Sequence, residues 1–244
     1  LKIDGTRVSS VQDASLRLSS GKSVCLSVRR GKKQAEFYLT PEKTETGYRL
    51  GISVRDNISG IGTITFFDPE TGVYGALGHG VAGLTSAQPL AISGGVLVPS
   101  TVTDVKKGVR GTPGELHGSF DVADPLGSVS QNEPHGIFGK LTALPQSESV
   151  PVADASQIHT GAAVILANVD GAEAREYCVR IDKLYPQAEN GRNILITVTD
   201  ERLLEKTGGI VQGMSGSPIL QNGKVIGAVT HVFVQDAASG YGIF

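Results

Sequence analysis

A serine framed by glycines, set between two apolar runs, limits this chain more than any other feature. Ile210-Val-Gln-Gly-Met-Ser-Gly-Ser-Pro-Ile-Leu220 leads into Asn222-Gly-Lys-Val-Ile-Gly-Ala-Val-Thr230. The pattern reads as a tight turn holding Ser215, a buried strand, a two-residue Asn-Gly turn and a second buried strand. Gly213 and Gly216 permit torsions that a Cβ forbids, so amide N–H groups can converge on one point. A serine nucleophile needs that arrangement: an exposed hydroxyl, and donors for the oxyanion formed on attack. The same turn also serves an ordinary Gly-Ser hairpin in an all-β domain. The two readings part on whether the chain supplies a base.

The remainder is built for β structure. Among 244 residues there are 32 glycines and no tryptophan, with many Val, Ile and Thr between turn signals. That length suits one large all-β unit plus a small module, or two modest domains. A net charge of −2 gives no basis for binding nucleic acid or an anionic membrane. No apolar run approaches the roughly 18 residues of a spanning helix. Membrane association is therefore expected only through parts absent from this chain. It carries no signal peptide and fits the mature part of an exported precursor. Cys25 and Cys178 sit among apolar or β-forming neighbours and read as buried free thiols. Neither has a Cys or His at ligand spacing, so no metal site is expected.

Taken in order, Leu1 to Val8 reads as a strand with an Asp-Gly turn, and Ser10 to Leu18 as an amphipathic helix capped by Ser9 or Ser10. Strands follow at 23–29 and 34–39. Strand, helix, strand, strand in this span resembles the C-terminal half of a PDZ domain, so residues 1–41 are expected to be a partial PDZ-like α+β module. The peptide-binding loop of that family would precede Leu1, and no peptide-binding residue is assigned. Residues 42–49 are polar and read as a linker. From residue 50 onward short strands alternate with turns: 51–55, 60–67, 73–77, 96–103, 116–122, 136–144, 162–169, 176–184 and 194–199. Their spacing fits barrels or a sandwich. Glu201 to Lys206 reads as a short helix capped by Asp200.

A nucleophilic serine needs a base. His117, His135 and His159 lie in loops and read as solvated; His231, on the strand after the serine hairpin, suits a cleft wall. His79 ends a hairpin inside Gly78-His79-Gly80, which leaves its ring accessible. A surface turn histidine would look the same in isolation.

The combination is more specific than its parts. Gly-Met-Ser-Gly-Ser-Pro-Ile with the hairpin after it resembles the serine region of trypsin-like and HtrA-type two-barrel peptidases. Tyr74-Gly-Ala-Leu-Gly-His79, Gly208-Gly-Ile-Val-Gln-Gly-Met-Ser-Gly-Ser-Pro218 and Thr230-His-Val-Phe-Val234, after a PDZ-like segment, are similar to the stage IV sporulation protein B (SpoIVB) peptidases of spore-forming bacteria. The resemblance implies a trypsin-like double β-barrel over residues 50–244. It implies a serine endopeptidase in the space between the two membranes around a developing spore. Such an enzyme cuts membrane-associated regulatory proteins, releases sigma-factor processing, and cuts itself. Self-cleavage would account for a chain starting inside its PDZ module. Carried over, Ser215 is the nucleophile and His79 the base. The N–H groups of Gly213 and Ser215 form the oxyanion hole, and Thr230, His231 and Val232 pair with substrate. Asp200 is the expected acid, with Asp121 second, and no cofactor is required. Ser217 stands where trypsin-like proteins have the second glycine after the nucleophile, and suits a structural role. The substrate side chain is expected near Gly208 to Gln212, which bear no charge. An HtrA-type quality-control protease and an inactive protease-like peptide-binding scaffold are the alternatives.

Overall fold

A computed structural model describes residues 1–244 except 32, 53, 55, 56, 84–87 and 189, together with the side chain of Arg30. The chain divides into two compact units, Leu1–Ser59 and Gly60–Phe244.

In the first unit β1 (Lys2–Ile3) and β2 (Thr6–Arg7) are joined by Asp4-Gly5, both at positive φ, as a two-residue hairpin turn requires. Helix α1 (Val11–Leu18) starts where Ser10 Oγ accepts the Asp13 N–H at 3.0 Å. Its Ala14 and Leu18 pack against Ile3, Val24 and Leu26. Strands β3 (Val24–Arg30) and β4 (Lys33–Leu39) complete an antiparallel sheet of order β2-β1-β3-β4. Residues 42–49, expected as a linker, instead form a hairpin, β5 (Glu42–Thr44) and β6 (Gly47–Arg49). The reason is apolar surface hidden in a polar stretch: Tyr48 lies against Gly21, and the following Leu50 packs on the helix–sheet core. The strand expected at 51–55 falls partly on residues outside those described. Both thiols are free, but Cys25 is half-buried and Cys178 exposed. The expectation of two buried thiols is thereby corrected, because strand alternation turns Cys178 away from the core that Tyr177 and Val179 enter.

Among its described residues the regular structure of the second unit is β apart from one short α-helix and a 3-10 turn. Its first half holds β7 (Ile64–Phe67), β8 (Val73–Ala76), β9 (Gly95–Leu97), β10 (Ser100–Lys106), β11 (Glu115–Phe120), β12 (Gly127–Glu133) and β13 (Gly136–Leu141). Five of these make a sheet of order β7-β8-β13-β12-β9, while β10 and β11 form a separate ribbon. The second half comprises β14 (Gly161–Ala167), β15 (Arg175–Leu184), β16 (Ile194–Val198), α2 (Glu201–Thr207), β17 (Pro218–Gln221), β18 (Lys224–Phe233) and β19 (Asp236–Ile243). Its six strands close as β14-β15-β16-β19-β18-β17.

Period-two alternation fills this barrel. Ala163, Ile165 and Ala167, then Tyr177, Val179 and Ile181, then Ile194, Ile196 and Val198 all point inward. The fold is thus mainly β, with a trypsin-like six-stranded barrel. Among the described residues the first half differs from the second in forming an open sheet. Its core is small, built on Tyr74, Ala76 and Leu141, and the ribbon joins the neighbouring barrel instead. Val102 and Leu116 of that ribbon enter the barrel core, and Val102 and Gly171 exchange backbone hydrogen bonds of 2.8 and 3.0 Å. No helix among the described residues is long and apolar enough to cross a membrane.

Candidate active site

The serine turn is anchored from below and from the side. Met214, 1% exposed, plugs into the barrel core. Three N–H groups of the turn are consumed internally: Met214 donates to Val211 O, Gly216 to Val229 O, and Ser217 to Met214 O. Those of Gly213 and Ser215 donate to no acceptor among the described residues. Gly213 at φ 101° makes that exchange of directions possible, since an L side chain rarely adopts such a torsion. The turn's carbonyls are held from the first half. Thr63 N–H donates to Ser215 O at 2.9 Å, and Thr65 Oγ1 donates to Gly216 O at 2.8 Å.

His79 arrives from the opposite side. After β8 the chain takes two successive left-handed residues, Leu77 (φ 71°) and Gly78 (φ 68°). For leucine that conformation costs about 1–3 kcal/mol, strain of a kind that concentrates at functional sites. At Gly78 a Cβ would sit 2.8 Å from Thr230 Cγ2, so only glycine passes there. The reversal brings His79 Nε2 to 3.0 Å from Ser215 Oγ, and Nδ1 to 3.0 Å from Gly80 O. A carbonyl only accepts, so Nδ1 carries the proton and Nε2 presents its lone pair to the hydroxyl. That is the tautomer a base requires. Thr230 O, 3.2 Å from Ser215 Oγ, is a second acceptor for the same hydroxyl proton.

A model of the SpoIVB peptidase S55 family matches residues 46–244. The chain belongs to that family. It is a serine peptidase of sporulation, a hydrolase of peptide bonds acting on protein substrates. No curated protein matches the chain. The family match includes His79, the serine turn and β18, and leaves residues 1–45 outside it.

Within this SpoIVB-family peptidase, the expected acid does not meet the histidine. Asp200 is the N-cap of α2: Oδ1 accepts the Arg202 N–H at 3.0 Å, and Oδ2 accepts the Cys178 N–H at 3.1 Å. The Arg202 guanidinium pairs with both oxygens, at 3.0 Å and 2.8 Å. That pairing, opposed by burial and aided by the backbone donors, holds the Asp200 carboxyl well below the usual carboxylate range. Asp121 is also elsewhere, exposed and capping the Ala123 N–H. Among the described residues no carboxylate bonds to His79. The physical reason is local: an Asp before a helix finds the first-turn N–H groups at once, and an Arg two residues on completes its needs. Asp200→Asn is expected to act on stability. The variant keeps an N-cap oxygen but loses the Arg202 ion pair and one of the two oxygens that accept backbone N–H groups, at a cost of about 1–3 kcal/mol near neutral pH. The sign follows from the lowered pKa: the contribution is complete above the unfolded value of about 3.9 and fades as pH falls through the lower folded value. Urea midpoints of both proteins at pH 7 and pH 3 check this. Asp200→Asn protein that is fully stable at pH 7 but catalytically dead would restore Asp200 as the acid.

Asn132, on β12, escaped the sequence reading. Its Oδ1 accepts the Val81 N–H at 2.8 Å, while Nδ2 donates to Val81 O and Leu90 O. It therefore staples the segment that follows His79. A lone Asn in a strand that was itself not anticipated offered no signal.

Thr230, His231 and Val232, expected to pair with substrate, lie near the end of β18. Strand β17 pairs with β18 only as far as Ala228, and β19 covers the other side of β18. Among the described residues no strand pairs with the outer edge of Thr230, His231 and Val232. Ile210 and Val211, in the loop expected near a substrate side chain, turn into the core, leaving Gln212 exposed. Ser217 is fully buried, and its hydroxyl has no partner among the described residues. His117, His135 and His159 are exposed. Among the described residues, no three His, Cys, Asp or Glu side chains gather as metal ligands would.

Proposed function

We propose that this chain is a serine endopeptidase working through an acyl-enzyme, with Ser215 as nucleophile and His79 as general base. The observation that carries the reading is the 3.0 Å approach of His79 Nε2 to Ser215 Oγ. His79 Nε2 takes the hydroxyl proton as Ser215 Oγ bonds to the peptide carbonyl carbon. The oxyanion is met by the N–H groups of Gly213 and Ser215, which have no competing acceptor among the described residues. Nε2–H then protonates the leaving amine, and a water repeats the sequence on the ester. The Gly80 carbonyl holds the Nδ1 proton, the place a carboxylate takes in a triad. Asp200 serves at one remove, fixing the start of α2, which leads through Gly208-Gly209 to the serine turn.

Substrate enters as an added strand on the open edge of Thr230 to Val232. The substrates are membrane-associated regulatory proteins whose cleavage releases sigma-factor processing, together with the enzyme itself. The site of action is the space between the membranes around the developing spore. Support for this part is the family resemblance, and the PDZ likeness of residues 1–41 rests on their strand–helix–strand–strand order.

A fluorophosphonate probe tests the chemistry. Labelling is expected at Ser215, lost in His79→Ala, and kept in Ser217→Ala, whose hydroxyl is sealed in the core. Labelling that survives His79→Ala, or that disappears in Ser217→Ala, refutes these roles. An unlabelled, well-folded wild type would favour the scaffold reading.

A further inference from the structure

Next to His231 lies a cavity of about 400 Å³ that the catalytic reading leaves without a task. Its wall includes Arg192, His231, Phe233, Asp236 and Tyr241. The Tyr241 ring packs edge-on against Phe233, with centroids 4.8 Å apart. Arg192 holds its guanidinium 5.5 Å from the Tyr241 ring centre, a cation–π distance that fixes the charge over the cavity. Among the described residues Arg192 has no carboxylate partner. Asp236, the carboxylate in the wall, is engaged in its own turn, accepting the Ala238 N–H at 3.2 Å and the Ser239 hydroxyl at 2.6 Å. The result is a half-apolar recess whose positive charge meets no carboxylate among the described residues.

The recess lies on the path of an added strand. The rings of His231 and His79 are 5.4 Å apart, so the catalytic base and the cavity share one face. Strand β18 runs from Thr230, beside Ser215, outward to Phe233. Every neighbour in this barrel is antiparallel. A peptide that continues the pattern runs the other way, so its residues beside 231–233 come before the one at Ser215. Alternate side chains of an extended peptide face opposite sides. One set therefore projects onto the His79–His231 face. Burial first, then His79 and Arg192, pushes the His231 pKa down to about 4.

We propose that this cavity is a subsite for an acidic side chain, two to four residues upstream of the scissile bond, with Arg192 as its charge partner. The assignment rests on the peptidase reading and deepens it by naming a substrate class.

Cleavage profiling of the purified full chain on a mixed peptide library provides a cut sequence. Versions of that peptide with Asp, Ala or Lys at each of the three upstream positions then test the subsite. At one position the wild type is expected to favour Asp over Lys by about tenfold or more in kcat/KM, the scale of a partly exposed charge pair. Arg192→Gln should remove the preference and Arg192→Glu reverse it, so that the Lys peptide is cut faster than by wild type. That gain cannot come from a misfolded variant. Cleavage without an acidic preference, or a preference that Arg192→Glu leaves intact, overturns the subsite while the peptidase reading stands. A wild type that cuts nothing and leaves the fluorophosphonate probe unreacted overturns both.

Discussion

Ser215→Ala and His79→Ala are each expected to lower kcat by about five to six orders of magnitude, and the double variant to lose little more than either alone. The reason is geometric. His79 Nε2 and Ser215 Oγ share one proton across 3.0 Å, and removing either end removes the same event. What remains is the pair of free N–H groups and the open strand edge, which still bind and polarise a carbonyl and so sustain about 10³–10⁴-fold catalysis over water. The check is a mutant cycle of single-turnover rates on one cleaved peptide, with the urea midpoints of all four proteins matched. Losses that add, so that the double variant falls to the product of the singles, would mean the two side chains act independently and would sink the shared-proton mechanism.

Gly216→Ala is expected to be the most damaging substitution outside that pair. Gly216 has φ 91°, and a Cβ there would run into Thr63 O and come within 2.6 Å of Leu77 N. Those atoms are backbone and cannot swing aside. They also belong to the seam: Thr63 N–H holds Ser215 O, and Leu77 N–H holds Thr63 O at 3.2 Å. Relieving the clash must move the strand carrying His79 away from the serine turn. Displacements near 1 Å cost about a hundredfold in rate, so kcat should fall by at least about that factor, with about 3 kcal/mol or more of lost stability. Gly223→Ala is the control. It also has a positive φ, 73°, but nothing lies within 4 Å of its Cβ, so only the torsional penalty of about 1 kcal/mol applies. Equal effects of the two substitutions on kcat would show that left-handed strain, not the seam, sets the loss.

Much of this was legible in the sequence because it is local. The Asn222-Gly223 turn, the Ser10 cap, the alternation of β14 to β16 and the glycine frames at 78–80 and 213–216 each state a torsion or a period within a few residues. The serine and histidine stood out because their neighbours were shaped for close approach. Less was legible wherever a residue has two uses. Asp200 satisfied the local rule for a helix cap and the long-range expectation of an acid, and only the position of Arg202 and the Cys178 N–H separates them. Residues 42–49 look like a linker by composition, yet two short strands pair because Tyr48 and Leu50 have a core to cover.

The sequence by itself determined a β-rich chain with one turn fit for a nucleophile and one hairpin end fit for its base. Torsional demands and strand periodicity are written residue by residue, and they need no partner to be read. The tertiary structure alone decided that Gly80 O receives the Nδ1 proton, and that the N–H groups of Gly213 and Ser215 meet no acceptor among the described residues. It also decided that the first half leaves its sheet open and lends a ribbon to the barrel. The Gly80 contact is one residue away, but it sets a base's tautomer only because Ser215 meets Nε2 from 136 residues away; the other outcomes depend on which backbone groups from distant segments meet. Hydrogen bonds are fixed by proximity in space, and that is set only once the barrel has closed.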